Sequence, residues 1–250
     1  MKRVLAAAVA AAALVTASPA QAAVDPVKAL KKQFVAGHGV TISEVSRTQQ
    51  EGKKLEYLRM TGTFAFGESG VVASDITLRG ALKPSSEAAL RFLIIGKKVY
   101  AQSAGFKREL PEGKSWLLLD DASNASATTQ PIDIFRSGKL KSLLSHAKSA
   151  KGGLYRGSFH GDRERQAFDY RLSVSSTGLP SRFHTSSKSD YGTLGWYRET
   201  TDSRYTAWGH KVTIEAPPED QVIDIKDAEA ALDEVLEEIQ VIPNEALATR

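Results

Sequence analysis

Leu58-Arg59-Met60-Thr61-Gly62-Thr63-Phe64-Ala65-Phe66, then Gly67-Glu68-Ser69-Gly70, then Val71-Val72-Ala73-Ser74-Asp75-Ile76-Thr77-Leu78, decides the fold class of this chain. Leu58, Met60, Phe64 and Phe66 sit two or four residues apart. Alternate residues of a strand share a face, so the four point to one side. The glycine-bounded turn reverses the chain. Val72, Ile76, Leu78 and, further on, Leu82 are expected to share one face of the next strand.

The same period extends outward in both directions. Upstream, Val40, Ile42 and Glu44 alternate with Thr41, Ser43 and Val45, and Glu51-Gly52 supplies a turn. Downstream, Leu90, Phe92 and Ile94 alternate with Arg91, Leu93 and Ile95. Gly96-Lys97-Lys98 turns into Val99-Tyr100-Ala101, and Trp116–Leu119 is a further short apolar strand. After residue 150, Tyr155, Gly157 and Phe159 share a face. Gln166, Phe168, Tyr170, Leu172 and Val174 do so in the next run, and Phe183 lies in the one after. Leu194–Arg198 and Tyr205–Ile214 read as two more strands, the last stopped by Pro217-Pro218 because proline cannot donate to a ladder. Turns this short join antiparallel neighbours, whereas parallel ones need long crossovers. The expectation is one α+β domain built on a long, wholly antiparallel sheet.

Helices interrupt the strands at three places. Asp25-Pro26 is a helix start, Asp as N-cap and Pro at the first position; Val27, Leu30, Phe34 and Val35 follow at helical spacing, and Gly37 ends the run. Pro131–Lys148 reads as helix, with Leu140, Leu143, Leu144 and Ala147 on one stripe, ended by Lys151-Gly152-Gly153; Gly138 leaves open an initial short turn followed by a second helix. Near the end, Asp227 caps a helix whose stripe is Leu232, Val235, Leu236 and Ile239. Glu229, Asp233, Glu234, Glu237 and Glu238 fill its opposite side.

The first residues predict export. Met1-Lys2-Arg3 is a basic start, Val4–Val15 an apolar run, and Ala20-Gln21-Ala22 a small-x-small cleavage site. The apolar run is shorter than the roughly 20 residues that cross a bilayer. The expected division is a signal peptide over 1–22, a domain over 23–226, and an acidic helix and tail over 227–250. The expected location is secreted or extracytoplasmic, with no membrane-spanning segment. The chain holds no cysteine, so disulfides, thiolate chemistry and lipid attachment at the cleavage site are excluded. Residues 23–218 carry 29 Lys and Arg against 19 Asp and Glu; residues 219–250 carry 2 against 10. A basic body attracts anionic headgroups or cell-wall polymers. Because the cations never run beyond two in a row, the expected partner of that charge is the chain's own acidic tail.

No motif of catalysis is present. Gly67-Glu68-Ser69-Gly70 lacks the spacing of a nucleophile elbow, and His38, His146, His160, His184 and His210 stand far apart. Asp120-Asp121 and Asp162-x-Glu164 supply too few oxygens for a calcium loop. Neither an enzyme, a metal, a cofactor nor nucleic acid is expected. What remains is apolar surface: Leu58, Met60, Phe64, Phe66, Phe92, Ile94, Phe168 and Tyr170 line one face of the sheet. A packed core and a cavity for a hydrophobic ligand fit that set equally well.

Two segments carry a resemblance. Val99-Tyr100, Gly105-Phe106 and Lys114-Ser115-Trp116-Leu117 resemble the middle of mycobacterial lipoproteins of the LppX/LprG type, and Tyr205–Pro218 resembles the ending of their sheet. The resemblance implies a LolA-like fold, a curved antiparallel half-barrel with helices covering its concave face. It also implies a carrier of lipid or lipoglycan, here without the lipid-bearing cysteine. An extracytoplasmic regulatory or protein-binding module of the same fold class is the competing expectation, with the acidic C-terminal helix as its contact for an envelope protein.

Overall fold

The computed structural model describes residues 24–50, 53–80, 89–119, 128–160, 167–190 and 195–228. The signal segment, Leu82, both acidic pairs, Gln166, Leu194 and the helix stripe beyond residue 228 fall outside them.

The sheet consists of two meanders joined along one seam. The first is β1 (His38–Gln50), β2 (Lys53–Gly67), β3 (Gly70–Gly80), β4 (Leu90–Ile95), β5 (Lys98–Gln102) and β6 (Trp116–Leu119). The second is β7 (Ser149–Lys151), β8 (Leu154–His160), β9 (Ala167–Val174), β10 (Pro180–Asp190) and β11 (Trp196–Lys211). Within each meander every strand pairs with the next, and β1 pairs antiparallel with β11 to unite them. A last strand, β12 (Val222–Asp224), lies beside β6, and the curved sheet stays open between β12 and β7.

Four helices accompany the sheet: α1 (Pro26–Lys31), α2 (Ala104–Glu109), α3 (Ser137–Ser145) and α4 (Ile225–Ala228). α1 starts as its sequence dictates, with the Asp25 carboxylate accepting from Val27 N–H and Pro26 in the first turn. Leu30 of α1, Phe106 of α2 and Leu140 and Leu143 of α3 bury themselves with Ile42, Met60, Phe64 and Leu172 in one cluster. That cluster defines the inward face of the sheet.

Several sequence expectations are corrected. The pairing is not wholly antiparallel, because β12 runs parallel to β6. A connection of more than a hundred residues separates the two, long enough to bring the chain back in either direction. In place of two strands expected over 194–198 and 205–214, one strand runs through Trp196–Lys211, and Val212–Ile214 lie beyond its end. The polar stretch between the two expected strands pairs with β1 on one side and β10 on the other, and its inward members Thr201 and Ser203 bury as hydrogen-bonded hydroxyls. Val72 leaves the face of Ile76 and Leu78, because a bulge sets Phe66 opposite Val71 and turns Val72 to solvent. The helix expected over 131–148 shortens to α3, with Asp133 instead capping a turn through Phe135 N–H. Gly152 and Gly153, both at positive φ, make the β7–β8 turn rather than a helix end. Gly105-Phe106 opens a helix capped by Ser103, and α4 begins at Ile225 with Asp224, not Asp227, accepting from Lys226 N–H.

The sheet is apolar on both sides at its β4–β6 end. Leu93, Tyr100 and Trp116 form a small outward cluster, covered by Ile214 and Val222 from the segment after β11. Lys114 Nζ and Ser115 N–H hold that segment through the carbonyls of Val222 and Gln221.

Candidate ligand-binding face

The inward face has an aromatic end. Phe64 and Phe66 on β2 meet Tyr205 and Trp208 on β11, with Val40 and Ile42 of β1 between the two strands. Trp208 gets there by a bulge. Gly39 pairs with His210 and Thr41 with Thr206, so β11 carries extra residues opposite Val40, and Ala207 takes a positive φ of 51°. The bulge stacks the Trp208 ring on Phe66, centroids 6.0 Å apart, and its Nε1–H donates to the Pro180 carbonyl. Phe135 covers the group, edge-on to Phe64 at 5.2 Å and to Tyr205 at 5.5 Å, and Phe34 closes over Phe66.

A second aromatic set stands on the other meander. Phe159 stacks on Phe168 at 5.4 Å, and Tyr170 lies against Phe159 and Phe183. The Tyr170 hydroxyl donates to the Leu143 carbonyl of α3, so it pins that helix to the sheet. Burial raises the pKa of this phenol above its ordinary value.

Further along the same strands the face turns polar while staying buried. Glu44 and Ser46 on β1, Thr185 and Ser187 on β10, and Thr201 and Ser203 on β11 are all shielded from water. The Glu44 carboxylate accepts from four donors: the Thr129 N–H and hydroxyl at Oε1, and the Thr128 and Ser203 hydroxyls at Oε2. Gln130 donates to Ser203 Oγ and to the Phe183 carbonyl and accepts from Thr185. The 128–130 segment is therefore clamped to the sheet at its polar end, and Ile134 and Phe135 follow directly onto the aromatic end. Burial and, next, the Glu44 charge hold the Tyr205 phenol well above its ordinary pKa.

The structure brings the eight sequence-predicted residues together. Leu58, Met60, Phe64, Phe66, Phe92 and Tyr170 are buried in the inward cluster, and Ile94 packs against it. Phe168 reaches it through Phe159. What sequence reasoning missed is the cover, Ile134 and Phe135, and the polar clamp of Glu44, Gln130, Thr185 and Ser203. The phase of the strands holds the missing signal: Glu44 and Ser46 fall in step with Val40 and Ile42, and Thr185 falls in step with Phe183. One polar atom on this face stands apart. Ser74 lies between Phe64 and Ile94 in the strand register, and its hydroxyl is buried with no hydrogen-bond partner.

Chemically the face offers burial and hydrogen bonding. The lone pairs of Glu44 are directed to protein donors, and among the described residues no three His, Asp or Glu side chains converge as a metal site. Among the described residues no helix is long and apolar enough to cross a membrane.

Neither a protein-family model nor a curated protein matches the sequence. Among solved structures the chain is similar to a LolA superfamily protein from Nitrosomonas europaea, with 13% identity and a TM-score of 0.33 over 76% of this chain and 93% of that one. It is also similar to a DUF1329 family protein from Desulfovibrio piger, with 12% identity and a TM-score of 0.32 over 76% of this chain and 95% of the other.

Proposed function

We propose that this protein is an exported carrier of a hydrophobic ligand, a lipid or lipoglycan, and that the ligand seats on the inward face between the sheet and its helices. In this reading the curvature of the sheet makes that face the concave one. The chain is no enzyme; its work is to bury acyl chains and release them.

The observation that carries the reading is the cover. A twelve-stranded open sheet buries its apolar face against the short helices α1, α2 and α3 and the 128–136 segment, and among the described residues not against a second sheet. Ile134, Phe135, Leu140 and Leu143 belong to no strand, so an elongated apolar ligand exchanges for them without breaking the ladder. Ser74 adds a hydroxyl donor for an oxygen of the ligand where the described residues supply no partner.

Native mass spectrometry of freshly purified protein, with an organic extract of the same sample, tests this. The expected result is a mass above that of the polypeptide and lipid in the extract. A bare polypeptide mass with an empty extract overturns it. The same sample gives the export reading its check, since the expected first residue is Ala23 and a chain beginning at Met1 contradicts cleavage.

A further inference from the structure

The outward face of the sheet carries a charge pattern that the carrier reading does not use. Strand register places Arg156 opposite Arg171 on β8 and β9, and Arg59 opposite Arg79 on β2 and β3, with His184 and Asp202 in the same row between them. Two residues along, Arg182 stands opposite Arg204 on β10 and β11. That second row continues through Ser43, Thr61 and Thr77 to Arg91 on β4. All seven arginines are exposed, and Asp202 is the one carboxylate in either row.

Three of these contacts set arginine directly against arginine, an arrangement that destabilises a sheet. Asp202 offsets one of them through a bidentate bond to Arg182, and Asp75 from outside the rows holds Arg91 likewise. Nor is the pattern a by-product of a generally basic chain. The sequence holds 18 Lys and 15 Arg, yet the two rows hold seven arginines and no lysine. The guanidinium is the cation whose planar fork matches a phosphate oxygen pair, and serine and threonine hydroxyls are its usual companions in holding phosphates.

We infer that the outward face of β8 to β4 is a docking surface for an extended phosphodiester polymer. From β8 to β3 the first row crosses six strand spacings, roughly 29 Å, and the second row runs parallel about 7 Å away. Such a surface suits a chain of repeating phosphates better than a single anion. Neither row contains Phe, Tyr or Trp, the rings on which a single-stranded nucleic acid chiefly stacks its bases, and the one imidazole, His184, is half-buried, so the polymer is one without bases. The chain's own acidic stretch leaves the sheet at β12, eight strand spacings or roughly 38 Å from β10 along the sheet and three from β4. Of that stretch, Asp224 belongs to β12, three strand spacings from Arg91 on β4, whose guanidinium already lies over the Trp116 ring of β6 and is held by Asp75.

The test uses the full-length protein and labelled synthetic poly(glycerol phosphate), followed by fluorescence anisotropy. The expected result is binding that weakens roughly tenfold or more between 50 and 200 mM salt, as release of several counterions requires. The double substitutions Arg156→Gln with Arg171→Gln, and Arg59→Gln with Arg79→Gln, are each expected to weaken binding about tenfold. The Arg156→Gln, Arg171→Gln variant should not lower the melting temperature, because it removes a like-charge pair. Absence of binding overturns the inference, as does binding that both double variants retain in full. Tighter binding of poly(U) than of the base-free polymer gives the face to nucleic acid instead. Binding that appears only when Glu229, Asp233, Glu234, Glu237 and Glu238 are changed to their amides gives it to the chain's own tail. Lipid co-purification is a separate readout, so the carrier reading stands or falls independently.

Discussion

The two ends of the inward face are equally dry and differently held. At the aromatic end Phe64, Phe66, Phe135 and Tyr205 interlock, and the free energy there comes from apolar area removed from water and from close packing. At the polar end Glu44, Gln130, Thr185 and Ser203 are just as buried, and they are kept by mutual hydrogen bonds. Burying such groups is costly unless every one finds a partner. The difference teaches that the cover over the sheet is fixed at one point by directional bonds and elsewhere by shape. The directional bonds choose where residues 128–130 sit, and the apolar contact fills whatever space that choice leaves.

The largest expected effect is at the aromatic end. Phe66→Ala removes the ring on which Phe34, Phe135 and Trp208 all rest, and is expected to cost about 3–5 kcal/mol by urea denaturation. A cost below about 1 kcal/mol breaks the comparison, because a site that collapses so easily is not tightly packed. At the polar end Glu44→Gln keeps the volume but brings amide hydrogens to face donors. The expected loss is about 1–3 kcal/mol with an unchanged denaturant slope. A neutral result shows that the clamp works through shape alone.

The smallest effect lies behind the polar end, on the outward side. His184 follows Phe183 and precedes Thr185, and its buried Nδ1 has no partner among the described residues. Burial first, and then the positive charges of Arg171, Arg182 and Arg47, lower its pKa against the opposing pull of Asp202. The folded state therefore takes up this proton at lower pH than the unfolded chain does. The contribution of His184 is intact above about pH 6.5 and is lost as pH falls from there toward the folded value. Comparing denaturation midpoints at neutral and mildly acidic pH, the wild type is expected to lose more than His184→Gln. Parallel losses in the two proteins contradict the assignment.

Much of this was legible in the chain. Period-two spacing found β1 to β5 and the inward set of Leu58, Met60, Phe64, Phe66, Phe92 and Tyr170, because alternation is local and the face is mostly apolar. The middle of β11 was not legible, since Glu199 to Arg204 is polar on both sides and its strand character comes from two neighbours distant in sequence. The parallel β12 depends on a partner more than a hundred residues away. Glu44 was placed on the correct face, but its role depends on Thr128, Thr129 and Ser203, which no spacing rule connects to it. Val72 was lost to a bulge, a one-residue shift that reverses every face it touches.

The seam between β1 and β11 sets an order of assembly. About 145 residues separate the end of β1 from the start of β11, so at 5–20 residues per second β1 waits roughly 7–30 s for its second neighbour to be synthesised. A first meander that formed in that interval would carry β1 as a bare edge, a template for pairing with other chains. Its inward row at that stage is Val40, Ile42, Glu44, Ser46; the carboxylate in the middle lacks all four donors until Thr128 and Thr129 are made and lacks Ser203 until β11 arrives. An unpaired inward charge on an edge strand opposes docking of a stray strand. Glu44 thus guards the half-made sheet before it clamps the finished one.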